Sequence, residues 1–163
     1  MTVVTDTSVV LNLCFIGQQG LLSRLFTALL APPRVAAEFQ RLAASDPRFQ
    51  GLVFPPVIRI AAPAGSPPAV TRDFALHGGE IAALSLALKH RADLVLMDER
   101  EGRAAARALG LASIGVVGIL LQARERSLIP ALAPLLDKLQ AGARFWIAPS
   151  LRTAVLRAAG EAA

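Results

Sequence analysis

Two short apolar runs in this chain each end at an aspartate. Val3-Val4-Thr5 stops at Asp6, and the run from Asp93 through Leu94-Val95-Leu96-Met97 stops at Asp98. Neither run alternates apolar with polar residues, so each reads as a strand buried on both faces, the mark of a parallel sheet. Parallel strands need crossover connections, usually helices, and ligands of open parallel sheets bind outside the carboxyl ends of the strands. Asp6 and Asp98 are therefore expected in one crevice. Asp93, at the start of its run, is expected at the opposite rim, solvated and uninvolved.

The remaining text fits the same architecture. Leu21–Leu25 reads as helix, Leu29–Ala31 as a short strand, and Arg34–Ala44 as a helix whose first turn accepts a proline. Residues 45–71 hold six prolines and two glycines and read as loop, with one edge strand at Val57–Ala61. A helical stripe runs from Gly78 to about His90, and a helix from Glu99 to Leu109 closes at Gly110. Ala112–Gly115 reads as another buried strand, and helices are expected at Val117–Arg126, Pro130–Gln140 and Ser150–Ala159. Alternation of this kind predicts an α/β fold, a short central parallel sheet flanked by helices on both faces. With 163 residues, 54% of them hydrophobic and 18% charged, the expectation is one domain over residues 1–163, its C-terminal part (128–163) helical.

Composition removes several function classes. One cysteine, Cys14, forms no internal disulfide and no zinc site; it reads as a small buried hydrophobe. The longest charge-free stretches, Thr7–Ser23 and Ala108–Ala123, contain polar residues and fall short of the ~18–20 apolar residues of a membrane span. No basic segment of a secretory signal precedes Arg24, so a soluble cytoplasmic protein is expected. The net charge is +5, and fifteen of the seventeen bases are arginine, which favours an anionic partner.

Two helices carry acids on otherwise apolar faces. Glu38 stands in Val35-Ala36-Ala37-Glu38-Phe39, and Glu80 follows His77-Gly78-Gly79. If Asp6, Glu38, Glu80 and Asp98 converge in a partly desolvated cleft, their repulsion amounts to several kcal/mol at an effective dielectric of ~20. A divalent cation removes it, and Mg²⁺ suits oxygen ligands, retained waters and substrate phosphates. Each acid also has an ordinary explanation: Asp6 as a turn cap, Asp98 as the N-cap of the next helix, Glu80 as a first-turn acid, Glu38 as an exposed helix residue. Glu99 is a reserve ligand. Arg100, Arg103 and Arg107 share a helix face beside Asp98 and form either a solvated ridge or a grip on phosphates. His77 and His90 have no ligand spacing and read as loop and helix-end residues. Trp146 reads as a core or interface anchor, with Arg144 beside it leaving base stacking open.

Taken in order, Asp6-Thr7-Ser8, Pro33 to Glu38, Gly79-Glu80 with Ala82-Ala83-Leu84-Ser85-Leu86-Ala87, and Leu96-Met97-Asp98-Glu99-Arg100 resemble the successive acidic motifs of PIN-domain ribonucleases. The stretch Gly110–Leu121 with Ile129-Pro130, and the ending Arg157–Glu161, resemble an uncharacterised prokaryotic, VapC-toxin-like branch with a Gly-Glu third motif. The resemblance implies a PIN-like fold and an endoribonuclease dependent on Mg²⁺ or Mn²⁺. It makes Asp6, Glu38, Glu80 and Asp98 the catalytic and metal-holding residues, with Ser8 and Glu99 behind them and Arg100, Arg103 and Arg107 on the RNA. It further implies a homodimer and a cognate antitoxin protein. Many family members carry aspartate where this sequence has Glu80, and many carry a small hydroxyl residue close to the position of Met97. Those two departures support the alternative, a catalytically weak or silent PIN-fold module that acts by binding RNA or protein.

Overall fold

Strand β1 (Thr2–Thr5) pairs in parallel with β2 (Ala28–Ala31) on one side and β4 (Leu94–Leu96) on the other. Strand β3 (Arg59–Ile60) adds to the outer edge of β2, and β5 (Ser113–Ile114) to the outer edge of β4. The computed structural model, which describes residues 1–162, is thus built on a five-stranded parallel sheet of order β3-β2-β1-β4-β5. The strand order reverses between β1 and β4, the switch point at which such sheets open a crevice.

Side chains alternate across this sheet, and each face has its own core. Val3, Leu29 and Leu96 point into the larger cluster with α1 (Thr7–Phe15), α2 (Leu21–Leu25), α6 (Val116–Glu125), α7 (Ala133–Gly142) and α8 (Pro149–Ala158). Val4, Leu30 and Val95 point the other way, onto α4 (Gly78–Lys89) and α5 (Arg100–Ala108). Helix α3 (Pro33–Ser45) starts on a proline at its first position and buries Val35 and Phe39. The single α/β domain, with helices on both faces, is as the strand pattern predicts.

Several local expectations need correction. Helix α1 is absent from the sequence reading: nearly every one of its residues is buried, so it has no polar face to betray a helical period. Residues 45–71 are mostly irregular, yet Ala69–Asp73 opens a 3₁₀ turn at their end, and Phe49 and Ile58 are buried in the core. Phe49 meets Phe15 edge-on at 6.2 Å between ring centres, and Phe54 meets Phe39 at 5.3 Å. Helix α7 begins three residues later than expected, at Ala133. There Glu161 accepts hydrogen bonds from the amides of Leu132 (2.6 Å) and Ala133 (2.9 Å), fixing the start of the helix from the chain's far end. Trp146 is 79% exposed, which overturns its reading as a core anchor; Ile147, next to it, is the buried residue of that segment. Cys14 is buried as expected, and burial pushes its thiol up to about 11. Ala163, the last residue of the expected helical part, lies outside the described residues.

Candidate active site

Asp6 follows β1 directly and is 2% exposed. Its amide donates to the carbonyl of Leu96 (3.0 Å), so it sits level with the end of β4. Its Oδ1 accepts the amide of Val9 at 3.2 Å, capping α1, and the Ser8 hydroxyl stands 3.4 Å from both carboxylate oxygens. Capping and a place in the crevice therefore coincide in one residue.

Asp98 does not cap the helix that follows it. Glu99 occupies that N-cap position, and Asp98 Oδ1 reaches across to accept the amide of Val116 (2.8 Å), the first residue of α6. This contact leaves a steric signature: a Cβ on Gly115 would collide with Asp98 Oδ1. The other oxygen, Oδ2, is buried without a hydrogen-bond partner.

Glu80, 6% exposed in the first turn of α4, shows the same division. Its Oε1 accepts the backbone amide of His77 (2.9 Å), and its Oε2 is buried and unpartnered. Glu38, half-buried on α3, is held on both sides. The Thr7 hydroxyl donates to its Oε2 at 2.8 Å, and Arg34 Nε stands 3.6 Å from its Oε1.

A cavity of about 310 Å³ opens among Asp6, Ser8, Glu38, Glu80 and Glu99, with Thr7, His77 and Arg41 also in its wall. Asp98 does not line it; it acts on the cavity through Asp6. Burial, then the charge of Asp98 and that of Glu80, hold the Asp6 carboxyl well above the usual carboxylate range against the opposing bonds from Val9 and Ser8. Burial lifts Asp98 to about 6, countered by the Val116 amide and the Arg103 charge. Burial also raises Glu80, helped by Glu99 and Glu38 and opposed by His77. Arg100, Arg103 and Arg107 are all exposed and outside the cavity wall. Asp93 is exposed at the opposite rim, but it is not idle: its Oδ2 accepts the Thr2 amide at 2.7 Å.

Thr7, His77 and Arg41 are the polar cavity residues that the sequence pattern does not single out; Leu11 and Leu42 add its apolar wall. For Thr7 the signal lay in the motif itself, a second hydroxyl between Asp6 and Ser8. For Arg41 it was the three-residue spacing from Glu38 on one helix face. His77 sits at the N-cap of α4 rather than in a free loop.

Among the described residues, no three His, Cys, Asp or Glu side chains stand close enough together to hold a metal ion as placed. The donor chemistry nonetheless fits a divalent cation. Two buried carboxylate oxygens lack any partner, and three neighbouring acids resist ionisation in its absence. A hard cation that keeps part of its water shell satisfies such oxygens without requiring all of them in direct contact.

No helix among the described residues is long and apolar enough to cross a membrane. No curated protein matches the chain. A family model described as a PIN domain matches residues 2–161. PIN domains are generally nucleases acting on nucleic acid, and they typically use divalent metal ions. The match begins at the first residue of β1 and runs past the end of α8, so it takes in the whole sheet, both helical layers and all four acids: the chain belongs to the PIN-domain family.

Proposed function

We propose that this protein is an endoribonuclease dependent on Mg²⁺ or Mn²⁺ that hydrolyses RNA phosphodiester bonds, as the VapC-like toxin of a toxin–antitoxin pair. The observation that carries this reading is the pair of orphaned oxygens, Glu80 Oε2 and Asp98 Oδ2, buried beside a desolvated Asp6. A buried, unpartnered carboxylate oxygen is costly to keep and serves no packing purpose.

In this reading Asp6, Glu80 and Asp98 hold the ion, and Glu38 closes the cluster from α3. Bound there, a divalent ion would lower the pKa of water and neutralise charge on phosphoryl oxygens. The chain's own contribution is placement. Ser8 and the Val9 amide fix Asp6, the Val116 amide fixes Asp98, the His77 amide fixes Glu80, and Thr7 fixes Glu38. Arg41 and His77, in the cavity wall, face an entering phosphate, and Arg100, Arg103 and Arg107 carry the RNA backbone further out. A homodimer, a cytoplasmic location and a cognate antitoxin that blocks the acidic cavity belong to the same reading, on the strength of the motif resemblance.

A second reading, an RNA- or protein-binding module with little or no cleavage, is favoured by the spacing of the acids, no three of which stand within ligating distance of one point among the described residues. Incubation of a labelled RNA pool with Mg²⁺ or Mn²⁺, with and without chelator, separates the two. Cleavage that needs metal and is lost in Asp98→Asn supports the nuclease. Binding without metal-dependent cleavage supports the module, and metal-independent cleavage overturns both.

A further inference from the structure

A second cavity, of about 400 Å³, has no lining residue in common with the acidic one but meets it where Arg34 of its wall approaches Glu38. Pro33, Pro63, Pro67, Ile81 and Ala82 give it apolar sides, and the buried Ser85 adds one hydroxyl. Arg34 is the divider. Its Nε stands 3.6 Å from Glu38 in the acidic cavity, while its guanidinium lies on Gly78 so closely that a Cβ there would collide with it. The positive ends of α3 and α4 open at the same place, since Pro33 and Gly78 are the first residues of those helices.

We infer that this groove is a nucleobase subsite: it takes the unpaired base of the nucleotide next to the scissile phosphate, while Arg34 contacts that nucleotide's phosphate. The inference rests on the ribonuclease reading for its substrate class. Two features select the occupant. The volume is at the small end of ligand pockets, ~300–1,000 Å³, which suits one ring system and its sugar rather than an extended peptide. The charge selects further, because an apolar protein side chain would fill the slot but leave unused the guanidinium of Arg34, whose 3.6 Å approach to Glu38 includes no hydrogen bond among the described residues. A nucleotide supplies both a flat apolar face for the walls and a phosphate for the guanidinium.

The test is a ¹H–¹⁵N titration of the full chain under chelation with adenosine 5′-monophosphate and uridine 5′-monophosphate, with ribose 5-phosphate as the control that lacks a base. The nucleotides should move the amides of Ile81, Ala82 and Ser85, while ribose 5-phosphate should move only the Arg34 side-chain Nε–H. Groove amides that stay still, that respond equally to the control, or that respond to a tryptophan-containing tripeptide and not to nucleotides overturn the subsite; the last result assigns the groove to a protein partner. Ala82→Leu fills the slot and should raise KM for RNA about tenfold at unchanged kcat, with altered base preference beside the cut. If the wild type binds nucleotides in the groove but cuts no RNA, the ribonuclease reading falls and the nucleotide site stands. If it cuts RNA and Ala82→Leu changes neither KM nor base preference, the subsite falls alone.

Discussion

Gly102 faces the unpartnered oxygen of Glu80 so closely that a Cβ at position 102 would stand 2.5 Å from Glu80 Oε2. Helix α5 is thereby allowed to press on the acid cluster, and the same Cβ would also meet the sulfur of Met97. Gly102→Ala should therefore destabilise the fold by about 1–3 kcal/mol, since buried methionine and carboxylate must both give way. It should also cut metal-dependent cleavage, because Glu80 is displaced. Urea unfolding and cleavage rates on the same preparation check it; a fully stable, fully active variant would show that Glu80 has room to spare.

Asp98→Asn keeps an oxygen for the Val116 amide and removes a buried charge. Without metal at pH 7.5 the variant should melt higher than wild type, and with Mg²⁺ it should lose about a hundredfold or more in cleavage. A variant less stable than wild type under chelation would contradict the electrostatic account of the cluster.

The pH dependence of stability has a defined sign. The Asp98 carboxyl, lifted from 3.8 to about 6, binds its proton more tightly in the folded chain than in the unfolded one. Its contribution is complete below pH 3.8 and is lost as pH rises through 6, a change of about 3 kcal/mol. Asp6 and Glu80 shift in the same direction. Asp46 and Glu161, held low by their hydrogen bonds with Arg48 and with the Leu132 and Ala133 amides, act in the opposite sense but below about pH 4.5. Between pH 5 and 7 the chelated protein should lose stability, and saturating Mg²⁺ should flatten that slope. Urea midpoints that rise over this interval under chelation would be the contrary result.

Thr7→Val removes the 2.8 Å bond that holds Glu38 while keeping the shape of the side chain. The expected effect is about 1 kcal/mol in stability and a several-fold fall in kcat at little changed KM. Thr7→Ser, which retains the hydroxyl, should restore kcat; failure of that rescue would mean that Thr7 acts by packing alone.

Glu161→Ala leaves the amides of Leu132 and Ala133 without their carboxylate and should cost about 1 kcal/mol in a thermal melt. The variant should cleave at the wild-type rate, because Leu132, Ala133 and Glu161 all stand outside the wall of the acidic cavity.

The strands that end at Asp6 and Asp98 were legible because a strand buried on both faces is apolar throughout and stops abruptly where it meets solvent. Helix α1 was illegible for the same reason inverted: burial on all sides erased the period that identifies a helix. The acids themselves could be named from residue type and position, but not their partners. That Asp98 serves α6 rather than α5 depends on how β5 docks beside β4, a relation between segments far apart in sequence. The arginine ridge was read from helical spacing, which says that Arg100, Arg103 and Arg107 share a face but not which way that face turns. Arg34 and Arg41, on α3, stand nearer the cavities.

The pairing of β1 with β4 also governs when the acid cluster can form. Thr2 meets Asp93 across 91 positions, and Asp6 meets the end of β4 over a similar span. A growing chain carries Asp6, Thr7, Ser8 and Glu38 long before Asp98 exists, and those residues alone form no cluster. Closing so long a loop is among the slower events of folding, because its entropy must be met before the contacts that reward it. The four acids therefore come together late, with the docking of one central strand, and in the proposed ribonuclease a chain still incomplete on the ribosome would lack the cluster that cleavage requires.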